Sequence, residues 1–250
     1  MPGVTAEPVT RVAEPVAADL PSGPAPGRGE ATRRAIVETA LRLFRERGYD
    51  KTTMRAIATE AGVSVGNAYY YFASKEHLVQ AFYDQLHEEH VQRVRVLLDR
   101  EPAFADRLAG TLLAWLEVAR PYHAFAGKFF KNAAEPTSPL SPFSAESAPA
   151  RDASIELFRE VLEGSDAKVD PQLRPELPEL LWLAHMGTVL FWVHDTSTEQ
   201  SRSEALVAQA VPLIDRLVGL SRLRVLRPVT RQLVDLLHAI SAASAQLDRG

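Results

Sequence analysis

Cysteine is absent from the 250 residues, so the chain has neither a disulfide nor a thiolate metal site available to it. No apolar run is long enough to span a bilayer, and the start lacks the basic-then-apolar pattern of a secretion signal. A soluble, cytoplasmic protein with no membrane partner is expected. Strand-like alternation is also missing from Glu101 onward, where helical periods are separated by Pro-rich breaks. An overall basic charge is lacking too, since the formal net charge is -4.

The charge becomes informative when it is divided along the chain. Residues 28–80 carry +3, residues 1–27 carry -2 and residues 81–250 carry -5. Only the first of these stretches is placed to attract phosphate, and the acidic remainder is not.

Lys51 to Lys75, KTTMRAIATEAGVSVGNAYYYFASK, lies in that positive stretch. Thr53 can cap a helix from Met54 to Ala61, with Ile57 and Ala58 as its apolar pair, and Gly62 can close it. Ser64 can cap a second helix, in which Val65, Ala68 and Phe72 form an inward stripe. Ser64, Asn67, Tyr70 and Tyr71 are left outward. An amide and two phenols suit hydrogen bonding to base edges and phosphates, and Gly66 removes a side chain where a backbone could approach. The geometry fits a helix-turn-helix, and it equally fits an ordinary helical hairpin in a bundle.

The residues separate the two. The run T-x-x-x-I-A-x-x-A-G-V-S-x-G-x-x-Y-x-Y-F-x-x-K-E, Thr53 to Glu76, resembles the DNA-binding domain of the TetR (tetracycline-repressor-like) family, and the likeness covers Arg33 to about Phe82. The resemblance implies that Thr53, Arg55, Ser64, Val65, Gly66, Asn67, Tyr69, Tyr70, Tyr71 and Lys75 lie at or near double-stranded DNA. Tyr69 and Lys75 match phosphate-holding positions; Arg55, Asn67 and Tyr70 match positions that reach bases.

Around this motif the expected organisation is a flexible tail over 1–29, a three-helix DNA-binding domain over 30–76 and a helical ligand-binding and dimerisation domain over 77–250. Arg28, Arg33 and Arg34, where the tail meets the first helix, read as a solvated cluster. The first helix should run from Ala31 to Arg47 and stop at Gly48, with Ile36, Ala40, Leu43 and Phe44 packed over Ile57, Val63 and Phe72. Ser74 can cap a long helix from Lys75 to about Arg100 that links the two parts. His87 and His90 have a spacing that metal ligands use, but no further ligand accompanies them, and they read as surface residues.

Helices are expected over 103–119, 122–134, 150–163, 176–195, 199–221 and 228–245, giving an all-α second domain. The Pro-rich run between Ala134 and Ala150 reads as a surface loop, with a lid as the alternative. Leu177 to Asp195 is apolar almost all round. Its three stripes are Ala184, Gly187 and Phe191; Leu181, His185, Thr188 and Trp192; and Trp182, Met186, Val189 and Val193. One face for the core, one for another subunit and one for a cavity fits that pattern, with the small residues of the first stripe leaving room for a partner helix. The helix over 199–221 has two stripes, Leu206, Leu213, Leu217 and Leu220 against Val207, Val211, Ile214 and Val218. The resemblance implies that the two penultimate helices form a homodimer interface.

A ligand cavity can draw its lining from Trp115, Tyr122, Phe125, Phe129, Trp182 and Trp192 and its polar contacts from His123, His185 and Thr188. The reading that follows is a ligand-responsive transcriptional regulator, a repressor by preference, that binds a palindromic operator as a homodimer and is released by a small-molecule inducer. No cofactor or metal is implied. Two other readings remain: an enzyme using His185 or His123 as base with Asp195 or Glu176, and a DNA binder without sequence preference.

Overall fold

The computed structural model describes residues 27–133, 135, 138–226, 228–229, 231–232 and 234–235. Within them the regular structure is helical throughout, and no strand is present. Helix α1 (Arg28–Arg47) opens three residues earlier than its apolar period predicts and stops at Gly48, whose φ of 88° is readily adopted only by glycine. Helices α2 (Met54–Glu60) and α3 (Val65–Tyr71) follow. Thr53 Oγ1 accepts from the Ala56 amide at 3.2 Å and Ser64 Oγ from the Asn67 amide at 3.1 Å, so both predicted caps form. Gly62, at φ 68°, turns the chain between the two helices.

Ile36, Ala40, Leu43 and Phe44 of α1 are buried with Ile57, Ala58, Ala68 and Phe72. This small core seats α2 and α3 as one unit. Helix α4 (Lys75–Leu98) closes it with Leu78, Val79 and Phe82. Ser74 precedes α4 without capping it, because its hydroxyl pairs with His77 Nδ1 at 3.1 Å instead.

Helix α5 (Phe104–Ala119) packs along α4 and against the later helices. Gly110 permits this approach, since a Cβ there would collide with the Leu97 side chain. A 3-10 turn (Arg120–Tyr122) leads into α6 (His123–Ala133), and α7 (Ala148–Glu163), α8 (Leu177–Val193) and α9 (Ser201–Leu220) complete the bundle. The helix expected over 228–245 falls largely outside the described residues. Phe104, Leu108, Leu112 and Leu116 of α5 meet Phe158, Val161 and Leu162 of α7, Leu181 and Trp182 of α8, and Val207, Val211 and Val218 of α9 in a second core.

Two buried charged side chains fix the ends of these helices. Arg107, 4% exposed, donates to the carbonyls of Leu98, Glu101, Glu160 and Val161 at 2.6 to 2.9 Å, tying the end of α4 to the end of α7. Asp195 accepts from the amides and hydroxyls of Ser197 and Ser203 and so holds the start of α9 against the end of α8. Burial works against its charge, but those four bonds outweigh burial and keep its carboxyl below the usual range.

Candidate functional site

Helix α3 presents a polar face to solvent. Asn67 and Gly66 are exposed, Tyr70 is 82% exposed and Tyr69 51%, while Ala68 between them is fully buried. Arg55 on α2 is exposed beside this face. The carboxamide of Asn67 carries a donor and an acceptor, the pair needed to read an adenine edge in the major groove. Thr53 and Ser64 are also exposed, but their oxygens already serve the helix starts. Val65 and Tyr71 turn partly inward onto the small core, and Tyr71 packs edge-on to Tyr70 with ring centroids 5.3 Å apart.

Lys75 is held more tightly than its motif position predicts. Its ammonium donates to the Tyr49 carbonyl at 2.8 Å and stands 4.3 Å from the Tyr49 ring centroid. The Tyr49 hydroxyl donates to Glu76 at 2.7 Å. Burial raises the charged-state cost of Glu76, yet hydrogen bonds from Ser74 and Tyr49 bring its carboxyl below the ordinary value. Lys75, Tyr69, Thr53 and Ser74 border one shallow notch at the junction of α2, α3 and α4. A cation with donors left over, set at a notch beside two exposed helices, can hold a phosphate.

A cavity of about 230 Å³ lies in the helical bundle. Its walls come from five helices and the segment before α7: Phe82, Leu86, His87 and His90 of α4, Trp115 of α5, Phe125 and Phe130 of α6, Phe158 of α7, Trp182, His185 and Trp192 of α8, and Leu140 and Pro142. Trp182, Met186, Val189 and Val193, one predicted stripe of α8, all line it. His90 Nε2–H donates to the Thr111 carbonyl at 2.8 Å, and the His90 and His185 rings stack at 6.3 Å. Burial is the main cause that pushes His90 down to about 4 and His185 to about 3, so both are neutral.

Of the predicted lining, Trp115, Tyr122, Phe125, Trp182, His185 and Trp192 reach the wall. His123 and Thr188 do not: His123 Nε2–H is spent on the Trp192 carbonyl at 2.8 Å, and the Thr188 hydroxyl on the Ala184 carbonyl at 3.1 Å. The side chain of Phe129 falls outside the described residues. The expectation of a surface histidine is corrected at His90, which α5 and α8 cover and leave 4% exposed, whereas His87 stays partly exposed. The repeat Phe82, Leu86, His90 at every fourth residue carried the missed signal. The Pro-rich run before α7 also packs inward: Gln80 Nε2 donates to the Pro139 carbonyl and Ser147 hydroxyl, and Leu140 is buried. Asp195, one of the two acids weighed for an enzyme, accepts from Ser197 and Ser203.

Two families of known proteins match the chain. The family described as tetracyclin repressor-like, C-terminal domain, matches residues 107–240, and that described as bacterial regulatory proteins, tetR family, matches residues 36–82. The transcriptional regulator TtgR of Pseudomonas putida is 48% identical over 61 residues, 24% of this chain and 29% of that protein. The transcriptional repressor KstR2 of Mycobacterium tuberculosis is 34% identical over 98 residues, 39% of this chain and 49% of its own length. The matched stretch thus spans about half or less of either relative. The crystal structure of FadR from Bacillus subtilis, a complex with stearoyl-CoA, shares the fold at a TM-score of 0.56 and 18% identity, covering 74% of this chain and 98% of that one. With a helix-turn-helix at its start and the tetracyclin repressor-like domain over more than half its length, the chain belongs to the TetR family of transcriptional regulators.

Proposed function

We propose that the protein is a ligand-responsive repressor that binds a palindromic operator as a homodimer and leaves it when a small molecule fills the cavity. The observation that carries this reading is the double duty of α4. Phe82 belongs to the core that seats α2 and α3, and it also lines the cavity with Leu86, His87 and His90. Arg107 holds the far end of the same helix. A ligand that shifts the middle of α4 therefore moves its other end, which packs in the core that seats α2 and α3. Such a ligand must favour one arrangement over the other, because equal affinity for both shifts nothing.

The dimer reading rests on an uncovered apolar face. Ala184, Gly187, Leu190 and Phe191 of α8 are exposed beside Leu213, Leu217 and Leu220 of α9, while the opposite α9 stripe of Val207, Val211 and Val218 is buried. Two small residues on α8 let a second helix come close. A two-fold pair would place its recognition helices for half-sites about one DNA turn (~34 Å) or a multiple apart. The stearoyl-CoA held by Bacillus subtilis FadR supports a lipophilic effector here, and the repressor KstR2 supports repression.

Selection of bound sites from random DNA, followed by titration of the recovered site with candidate effectors, tests the reading. A palindrome released by a cavity-filling ligand is expected. Recovery of sequences with no common motif, or DNA affinity indifferent to every ligand shown to fill the cavity, would count against it.

A further inference from the structure

Two residues of the cavity wall each carry a buried nitrogen with no protein partner. His185 Nδ1 and Trp192 Nε1 belong to side chains 5% and 2% exposed, both lining the cavity, and neither makes a hydrogen bond. They stand seven residues apart on α8, about 10 Å along the axis. The ring of Trp115 lies between them, edge-on to His185 at 5.1 Å and to Trp192 at 5.2 Å.

An indole N–H only donates, so what meets Trp192 must accept; a neutral imidazole offers one donor and one acceptor, which a hydroxyl can match either way. Charge is poorly provided for. The described lining residues include no Asp or Glu, and their one permanent cation, Arg151, donates to the Pro142 and Ser144 carbonyls and lies beside Asp152. An ionised ligand group inside would lose its hydration without gaining a counter-charge.

Resting on the reading of this cavity as the effector site, we propose that it takes an uncharged, largely ring-built molecule about two helical turns long, bearing a hydroxyl or carbonyl oxygen towards each end. One oxygen accepts from Trp192 Nε1 and the other pairs with His185 Nδ1. The aromatic wall covers the apolar body between them.

The chain supplies its own reporter. All three of its tryptophans, Trp115, Trp182 and Trp192, line the cavity, so tryptophan emission, excited apart from the six tyrosines, reports on it. The full chain is titrated with biphenyl, with its para,para-dihydroxy derivative and with its para,para-dicarboxylate, whose end groups are separated by a similar span. The dihydroxy probe is expected to bind about tenfold tighter than the dicarboxylate, and Trp192→Phe to weaken it roughly five- to tenfold while leaving biphenyl nearly unchanged. His185→Phe does the same from the other end and carries the test if melting shows that Trp192→Phe fails to fold. A dicarboxylate that binds as well as the diol, equal losses for diol and biphenyl in both variants, or no fluorescence change with any probe overturns the proposal. Gel shifts on the selected operator run in parallel. Diol binding that depends on Trp192 and leaves DNA affinity unchanged upholds the ligand class and removes the effector role.

Discussion

The ring of Phe125 on α6 stacks on that of Phe44 on α1, with centroids 6.3 Å apart and planes 12° from parallel. Phe125 lines the cavity; Phe44 sits in the core beneath α2 and α3 and touches the Tyr49 ring at 5.0 Å. Tyr49 in turn holds Lys75 and Glu76. A continuous series of contacts thus joins the cavity wall to the notch beside α3.

Phe125→Ala should weaken that connection. The truncation removes a 3%-exposed ring and is expected to cost about 3 kcal/mol of stability. Ligand titration by tryptophan fluorescence should still register binding, whereas the ligand-induced loss of operator affinity should shrink severalfold. A variant that binds ligand and releases DNA like the parent would exclude Phe125 from the connection.

On the DNA face, Asn67→Ala is expected to lose about 1–3 kcal/mol on the selected operator and little on random DNA, since the residue is exposed and its amide is free to read a base. Lys75→Ala should weaken both alike and reduce the salt slope by about one. Fluorescence anisotropy on the two DNAs at several salt concentrations separates the cases.

Leu217→Glu addresses the apolar face of α8 and α9. Leu217 is 57% exposed in the single chain, so a charge there costs the fold little. Light scattering should show a monomer with unchanged helix content, and affinity for the two-half-site operator should fall at least tenfold. Retention of the dimer would move the interface elsewhere.

The buried histidines predict acid sensitivity. His90 and His185 sit at about 4 and 3 in the fold against an ordinary 6.5, so between those values the unfolded chain binds protons that the folded chain does not. Their contribution is steady above about pH 6.5, and stability is lost as pH falls, with a slope of about 1.4 kcal/mol per unit for each histidine, until the folded values are reached. His185→Phe should flatten the fall of Tm between pH 6.5 and 4; an unchanged profile would contradict the burial of a neutral His185.

The helix-turn-helix was legible because its information is local: Thr53, Gly62 and Ser64 act on neighbours within a few positions. The three stripes of α8 were equally plain from its period, but not which of them faces the cavity, and the wall in fact draws on two: Trp182, Met186, Val189 and Val193 together with His185 and Trp192. What escaped depends on packing between distant segments. Helix α4 carries many charged residues, and beyond the repeat of Phe82, Leu86 and His90 nothing within it says which helices will cover His90. The prolines before α7 announce a loop, but not that Gln80 of α4 will bond to it at Pro139 and Ser147 or that Leu140 will join a core. His123 and Thr188 look like ligand groups until the carbonyls of Trp192 and Ala184 take their protons.

Every partner of Arg107 is a main-chain carbonyl, and its space is kept open by Gly164, where a Cβ would strike the guanidinium. The joint at the end of α4 is therefore indifferent to the side chains at Leu98, Glu101, Glu160 and Val161 as far as these bonds are concerned. The bonds themselves depend on one arginine and one glycine, so in a saturation scan those two positions should stand out against exposed Glu160, while Val161 answers separately to its place in the second core.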